Sequence, residues 1–244
     1  MKRMLTFASR NAKEILRDPI NIGFGLGFPL VLLLLLSAIQ ANVPVSLFEI
    51  EHLTPGITVF GLSFMTLFAA TLIAKDRGSS LLQRLYTTPL RPTDFIFGYA
   101  LPIVPFALLQ SVICYVVALC LGLTPTINIL LAILFILPIS VLYIALGLLF
   151  GSILTDKQVG GICGGLLTNL SAWLSGTWFD LSLVGGAFMG IAEALPFMHA
   201  VELLRAVLSG NYTEIWTHLA VVLLYAVLAL ALAVFLFLRQ MKRQ

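Results

Sequence analysis

Residues 95–155 read FIFGYALPIVPFALLQSVICYVVALCLGLTPTINILLAILFILPISVLYIALGLLFGSILT, and none of them is charged. A helix rising about 1.5 Å per residue crosses the hydrocarbon core of a bilayer in about 20 residues, so this interval is far too long for one crossing. The turn cluster Gly122-Leu123-Thr124-Pro125-Thr126 divides it into a tight hairpin of two spans, 95–121 and 127–154. Outward from this hairpin, four more apolar stretches have spanning length: 20–41, 55–74, 159–179 and 218–238. Over all 244 residues, 60% are hydrophobic and 10% charged, with a mean hydropathy of +1.05. Soluble domains carry about 25% charge, so the solvent for most of this chain is lipid. Cys114, Cys120 and Cys163 all lie in apolar stretches and read as small apolar side chains, not as a disulfide framework.

The stretch 181–198 tempts a seventh crossing but carries Glu193 and Pro196. Parity decides. With six crossings, thirteen of the 14 basic residues share a side, from Arg3, Arg10, Lys13 and Arg17 through Lys75, Arg77, Arg84, Arg91 and Lys157 to Arg239. Arg205 alone lies opposite, among Glu49, Glu51, Asp180, Glu193, Glu202 and Glu214. Lys and Arg collect on cytoplasmic loops, so six spans with both termini cytoplasmic is the expectation. Residues 180–216 then form an outer region containing a re-entrant excursion, tolerated where protein or a wet cavity satisfies its backbone. No cleavable signal peptide is evident, because the first apolar run exceeds a signal h-region and lacks a cleavage site.

Two cytoplasmic segments are more than tethers. In residues 1–18, Met1, Met4, Leu5, Ala8, Ala12, Ile15 and Leu16 follow helical spacing, with Arg3, Arg10, Lys13 and Arg17 opposite. This is an interfacial amphipathic helix, or a plain positive-inside anchor. Asp18-Pro19 offers a cap and first-turn proline to the next helix. In the loop 75–94, Gly78 permits a sharp exit, and Ser80 with Gln83 fits a capping box. Leu81, Leu82 and Leu85 form a short apolar ridge, and Thr88-Pro89 and Arg91-Pro92 stop the helix. A stiff peg that docks on a protein fits this pattern; a helix lying on headgroups is the blander alternative.

The fifth span has a face of small residues: Gly161, Gly164, Gly165, Thr168, Ser171, Ala172, Ser175 and Gly176. Close helix approach explains such a face; a sliding surface whose hydroxyls meet cargo is the functional alternative. GxxxG pairs recur at Gly23/Gly27, Gly147/Gly151 and Gly186/Gly190. Intramembrane carboxylates and lysines, which mark ion-coupled pumps, are missing from the six spans. Glu202 and Arg205 fit an i,i+3 structural ion pair near the outer interface, with a proton relay as the other reading. There is no GxxxxGK[ST] loop, HExxH or Cys/His metal spacing, so no cofactor is expected in this chain. Ser175-Gly176 with His218 lacks the rest of a serine-protease constellation, and an enzyme is not expected.

The run Leu82-Gln83-Arg84-Leu85-Tyr86-Thr87-Thr88-Pro89-Leu90-Arg91, followed by Asp94-Phe95-Ile96-Phe97-Gly98-Tyr99, resembles the ABC type-2 exporter permease family, in its drug-resistance-like branch. Leu195-Pro196-Phe197 with Ala200-Val201-Glu202-Leu203-Leu204-Arg205 and Gly210 is similar to that family's segment before the last span. Arg10-Asn11 through Arg17-Asp18-Pro19 resembles its elbow. Many members carry Glu where this chain has Gln83.

The resemblance implies an all-α integral membrane fold of the type V exporter kind. Its parts would be six transmembrane helices, an amphipathic elbow, a cytoplasmic coupling helix and an outer re-entrant segment. It also implies a dimer with a second copy or a sister permease, and separate ABC ATPase subunits that carry ATP and Mg. Leu81, Leu82, Arg84, Leu85 and Tyr86, assisted by Arg10, Lys13 and Arg17, would couple to the ATPase. Phe60, Phe64, Thr66 and Phe68 on the second span, with Thr168, Ser171 and Ser175 on the fifth, are the pathway candidates. Such walls suit efflux of an amphipathic drug, lipid-like molecule or peptide from the cytoplasmic membrane of a bacterium. The alternatives are polysaccharide or glycolipid export and, from another class, a stand-alone channel or secondary carrier.

Overall fold

The computed structural model describes residues 2–44, 48–79, 81 and 92–241, which form helices and connecting turns with no strand among them. Helix α1 (Lys2–Leu16) buries Phe7, Ala8, Asn11 and Ile15 while Leu5 and Leu16 stay exposed. Its packed face is therefore rotated from the apolar face read in the sequence. The cause is α4 (Pro92–Ala100): Phe7 meets Phe95 and Tyr99 edge-on at 5.7 and 4.9 Å, and Asn11 Nδ2 donates to the Gly98 carbonyl at 2.9 Å. The elbow docks on protein.

Helix α2 (Pro19–Asn42) starts with Pro19 in its first turn and Asp18 accepting from the Asn21 amide at 3.2 Å. A π-helical stretch, Gly23–Gly27, interrupts it. Helix α3 (Ile50–Gly78) is the centre of the bundle, with 94% of its most apolar window buried. It packs against α2, α5 (Ile103–Cys120) and α6 (Asn128–Ile153). Its buried Thr54 and Thr58 hydroxyls donate to carbonyls one turn back, which satisfies them without water. The turn between α5 and α6 holds Gly122 at φ +108°, a backbone that suits glycine.

Of the pairs Gly23/Gly27, Gly147/Gly151 and Gly186/Gly190, only Gly147/Gly151 makes a close helix approach. A Cβ on Gly147 would lie 2.6 Å from the Thr66 carbonyl oxygen, and one on Gly151 2.9 Å from the Ala70 Cα. Gly23, Gly27, Gly186 and Gly190 have nothing within 4 Å of such an atom.

Helix α7 combines Asp156–Val159, a π-helical stretch Gly160–Leu167 and Thr168–Trp173. It starts earlier than the expected 159, at a Thr155/Gln158 capping box. It also stops short of 179, because Gly176 takes φ +69° and Ser175 turns its hydroxyl onto the Ala172 carbonyl. Helix α8 (Gly186–Ala194) and α9 (Pro196–Ser209) are bent 77° apart. Leu195 precedes a proline and is extended (φ −101°, ψ 154°). The Tyr225 hydroxyl of α10 (Tyr212–Met241) donates to the Ala194 carbonyl across this break at 2.6 Å.

Among the described residues, five helices are long and apolar enough to cross a membrane: Pro19–Asn42, Ile50–Gly78, Thr93–Cys120, Asn128–Ile153 and Tyr212–Arg239. The glycines and polar residues of α7 keep it out of that class, but its contacts place its two ends at opposite ends of the bundle. Before α7, the Leu154 carbonyl accepts from Arg77 at the foot of α3. After it, the Gly176 carbonyl accepts from Arg205, which also reaches the His52 carbonyl at the head of α3. The bent pair begins and ends near that same head, where Asn128 bonds the Leu208 carbonyl. The five long apolar helices, α7 running between the two ends and the bent pair at the head together make a multi-pass bundle. One end of the bundle collects Arg10, Lys75, Arg77 and Lys157, and the other Glu49, Glu51, Asp180 and Glu202.

Candidate coupling and transport site

At the basic end, Asp76 is buried two residues before the α3 helix ends at Gly78. Arg10 of α1 donates to its carboxylate at 2.6 Å and Tyr99 of α4 at 2.9 Å. Three elements thus meet on one side chain. Burial works against the Arg10 charge, but the hydrogen bond and the charge of Asp76 outweigh it and raise its affinity for its proton. Next door, Arg77 donates to the Gly151 carbonyl at 2.7 Å and so caps the end of α6. Lys75 lies 3.5 Å from Asp18. The foot of α3 is held by α1, α2, α4 and α6 where it enters the loop.

Sequence reasoning missed Asp76, Arg77 and Tyr99 as site residues. Asp76 and Arg10 are 66 positions apart, and no local pattern links them. Of the expected coupling residues, Leu82, Arg84, Leu85 and Tyr86 lie outside the described residues. Leu81 is helical and half-buried, Lys13 is exposed on α1, and Arg17 is exposed in the turn after it. Lys13 and Arg17 line a shallow cleft with Leu5, Ser9 and Glu14.

In mid-bundle, all seven pathway candidates are at most 5% exposed within this one chain. Thr66 donates to the Tyr143 carbonyl at 2.7 Å, and Ser171 shares a 2.6 Å bond with the Tyr143 hydroxyl. Thr168 donates to the Cys163 carbonyl, and Ser175 pairs with Thr177. These hydroxyls tie α3, α6 and α7 together in the conformation seen. Replacing Tyr143 with phenylalanine should lower stability by about 1–2 kcal/mol, since Ser171 loses its buried partner; thermal melting in detergent checks it. The four-residue repeat of phenylalanines splits. Phe60 and Phe64 meet edge-on at 5.7 Å, whereas Phe68 fills the space beside Gly25, where a Cβ would lie 2.5 Å from its ring.

At the acidic end, Arg205 donates to Glu202 at 2.8 Å, to the Gly176 carbonyl at 2.9 Å and to the His52 carbonyl at 3.3 Å. It therefore joins α9, the α7 exit and α3. His199 Nε2 lies 2.9 Å from the Glu193 carbonyl, which only accepts, so this nitrogen carries the proton. His199 Nδ1 and His218 Nδ1 share a hydrogen bond at 2.8 Å, one ring donating to the other. Ser175 and His218 thus spend their bonds on separate neighbours. Among the described residues, no three His, Cys, Asp or Glu side chains converge in a way that would hold a metal ion.

A family model described as ABC-2 type transporter matches residues 3–209. That range runs from the elbow to the end of the bent pair. No curated protein and no solved structure matches the chain. An all-helical multi-pass bundle, an elbow docked beside the foot of the central helix and a match over most of its length lead to one statement. The chain belongs to the ABC-2 type transporter family, as a membrane transport subunit.

Proposed function

We propose that this chain is the permease of an ATP-driven exporter in the cytoplasmic membrane of a bacterium, with the basic end and both termini in the cytoplasm. The charge sorting between the two ends supports that orientation. Two permeases pair, as copies or as sisters, above separate ABC ATPase subunits that bind ATP and Mg. The loop helix carrying Leu81, Leu82, Arg84, Leu85 and Tyr86 seats in the ATPase, and the elbow with Lys13 and Arg17 flanks it. Cargo is amphipathic or hydrophobic: a drug, a lipid-like molecule or a peptide.

One observation carries this reading. The helix that feeds the loop is the most enclosed in the bundle, and Asp76 and Arg77 clamp its foot to three neighbouring helices. A push on the loop is therefore delivered to α3 and its surroundings together instead of bending a free helix end. In this reading Phe60, Phe64, Thr66 and Phe68 of α3, with Thr168 and Ser171 of α7 and Ser175 just after it, line the path that opens when α3 parts from its neighbours.

Affinity-purified chain in mild detergent should carry an ABC ATPase with it. Changing Leu81, Leu82 and Leu85 together to aspartate should leave membrane insertion intact and abolish that association. Retention of both ATPase binding and transport by the triple variant would refute the coupling assignment. Solute movement by the purified chain alone in vesicles would refute the exporter reading and favour a channel or carrier.

A further inference from the structure

A half-enclosed cavity of about 510 Å³ opens at the acidic end, between the head of α3, the segment after α7 and the α8–α9 hairpin. That volume is in the range of sites for drug-sized ligands, which are typically apolar with a few placed polar groups. Phe48, Trp178, Phe179, Met189 and Met198 form much of its wall. Methionine and aromatic side chains adapt to ligands of varied outline.

The charges on this wall are unbalanced. Glu202 is matched by Arg205, and Arg205 spends its remaining donors on carbonyls of His52 and Gly176. Glu49 also lines the cavity and has no ion pair among the described residues. Asp180 accepts from the Ser182 amide at 2.9 Å. That bond, the Ser182 hydroxyl and the charge of Arg205 hold its carboxyl below the usual range, so it is ionised. Two carboxylates therefore face the cavity outside the ion pairs of the described residues, and with Glu202 they outnumber its one arginine.

The aromatic wall also continues into the membrane. Trp178 packs edge-on against Phe60 at 5.6 Å, and Phe60 meets Phe28 at 5.9 Å. Phe28 and Phe24 are exposed on the outside of α2. Ring faces attract cations as well as apolar groups. A connected row of them runs from the exposed face of α2 to this negatively charged pocket.

We infer that this cavity is a binding site for lipophilic organic cations, with Glu49 and Asp180 holding the charge and Trp178 the apolar body. The inference rests on the exporter reading for its purpose, as the place where cargo sits at the outer face, and it narrows the cargo class. Anions are opposed by the two carboxylates. A bare metal ion finds no converging ligand set.

The probe is radiolabelled tetraphenylphosphonium, bound to the full chain in phosphatidylcholine nanodiscs and corrected for empty discs. Tetraphenylborate, of the same shape and opposite charge, is the control. Saturable phosphonium binding is expected, with no saturable borate binding. Glu49→Gln should weaken it about threefold and Glu49→Gln with Asp180→Asn about tenfold, the scale of one or two removed charges at a partly wet site. Trp178→Ala should weaken both the phosphonium and its uncharged analogue tetraphenylmethane.

Equal binding of borate, absence of saturable phosphonium binding, or unchanged affinity in the double variant overturns the inference. Asp180 also caps the turn after it, so if the double variant fails to fold, Glu49→Gln alone decides, and unchanged affinity there is the overturning result. No ATPase is present in this measurement. Its failure leaves the exporter reading standing, and loss of the exporter reading leaves the binding result intact.

Discussion

Gly147→Leu should leave almost no monodisperse folded protein after extraction, as read by size-exclusion chromatography and thermal melting. A side chain there meets the backbone of α3, because a Cβ at Gly147 would lie 2.6 Å from the Thr66 carbonyl oxygen and 3.0 Å from its Cα. Backbone atoms cannot rotate away as a flexible side chain does. The two helices must separate, which costs about 1–3 kcal/mol or more from overpacking alone. Separation also breaks the Thr66 bond to the Tyr143 carbonyl, and an unsatisfied buried group adds about 1–3 kcal/mol. Gly190→Ala serves as the control. Its position has open space around it and should melt at or slightly above the parent temperature. A Gly147→Leu protein melting within about 2 °C of the parent would show that α3 and α6 are not packed as described.

Arg10→Met should lower the melting temperature by roughly 10 °C, the scale of a loss near 3 kcal/mol in a chain of this size. Removing the arginine leaves the Asp76 carboxylate buried with the Tyr99 hydroxyl as its remaining partner in this network. Stranding one member of a buried pair costs about 3–5 kcal/mol, and the partial exposure of Arg10 argues for the lower end. Combining Arg10→Met with Asp76→Leu and Tyr99→Phe should recover most of the loss, since replacing all partners by apolar groups of similar shape is nearly neutral. On the proposed mechanism the combined variant folds and binds its ATPase yet transports poorly. If Arg10→Met alone melts like the parent, Asp76 is not a junction.

The fold was largely legible because a bilayer imposes its thickness on the sequence. The uncharged interval 95–155 forces a hairpin, and the long apolar runs announce a multi-pass helical bundle before any contact is known. Pro196 likewise marks the 77° bend between α8 and α9, since a proline forces the residue before it out of helix. Less visible was the π-helical stretch inside α7, where a run of glycines permits a register that hydropathy does not encode. The face of α1 was misjudged for a related reason: its orientation follows from Phe7 fitting beside Gly98, a contact across most of the N-terminal half. Asp76 shows the same limit. A lone carboxylate at the end of a span reads as an interfacial charge until its distant partners are placed around it.

The enclosure of α3 bears on how the surrounding lipid can act. Only 17% of the apolar window of α2 and 28% of that of α10 is buried, against 94% for α3. A thicker or thinner bilayer strains the helices it touches, by a fraction of a kcal/mol per ångström of mismatch. That strain falls on the periphery, while the central shaft keeps its height. Changes in acyl-chain length should therefore tilt α2 and α10 around a stationary axle.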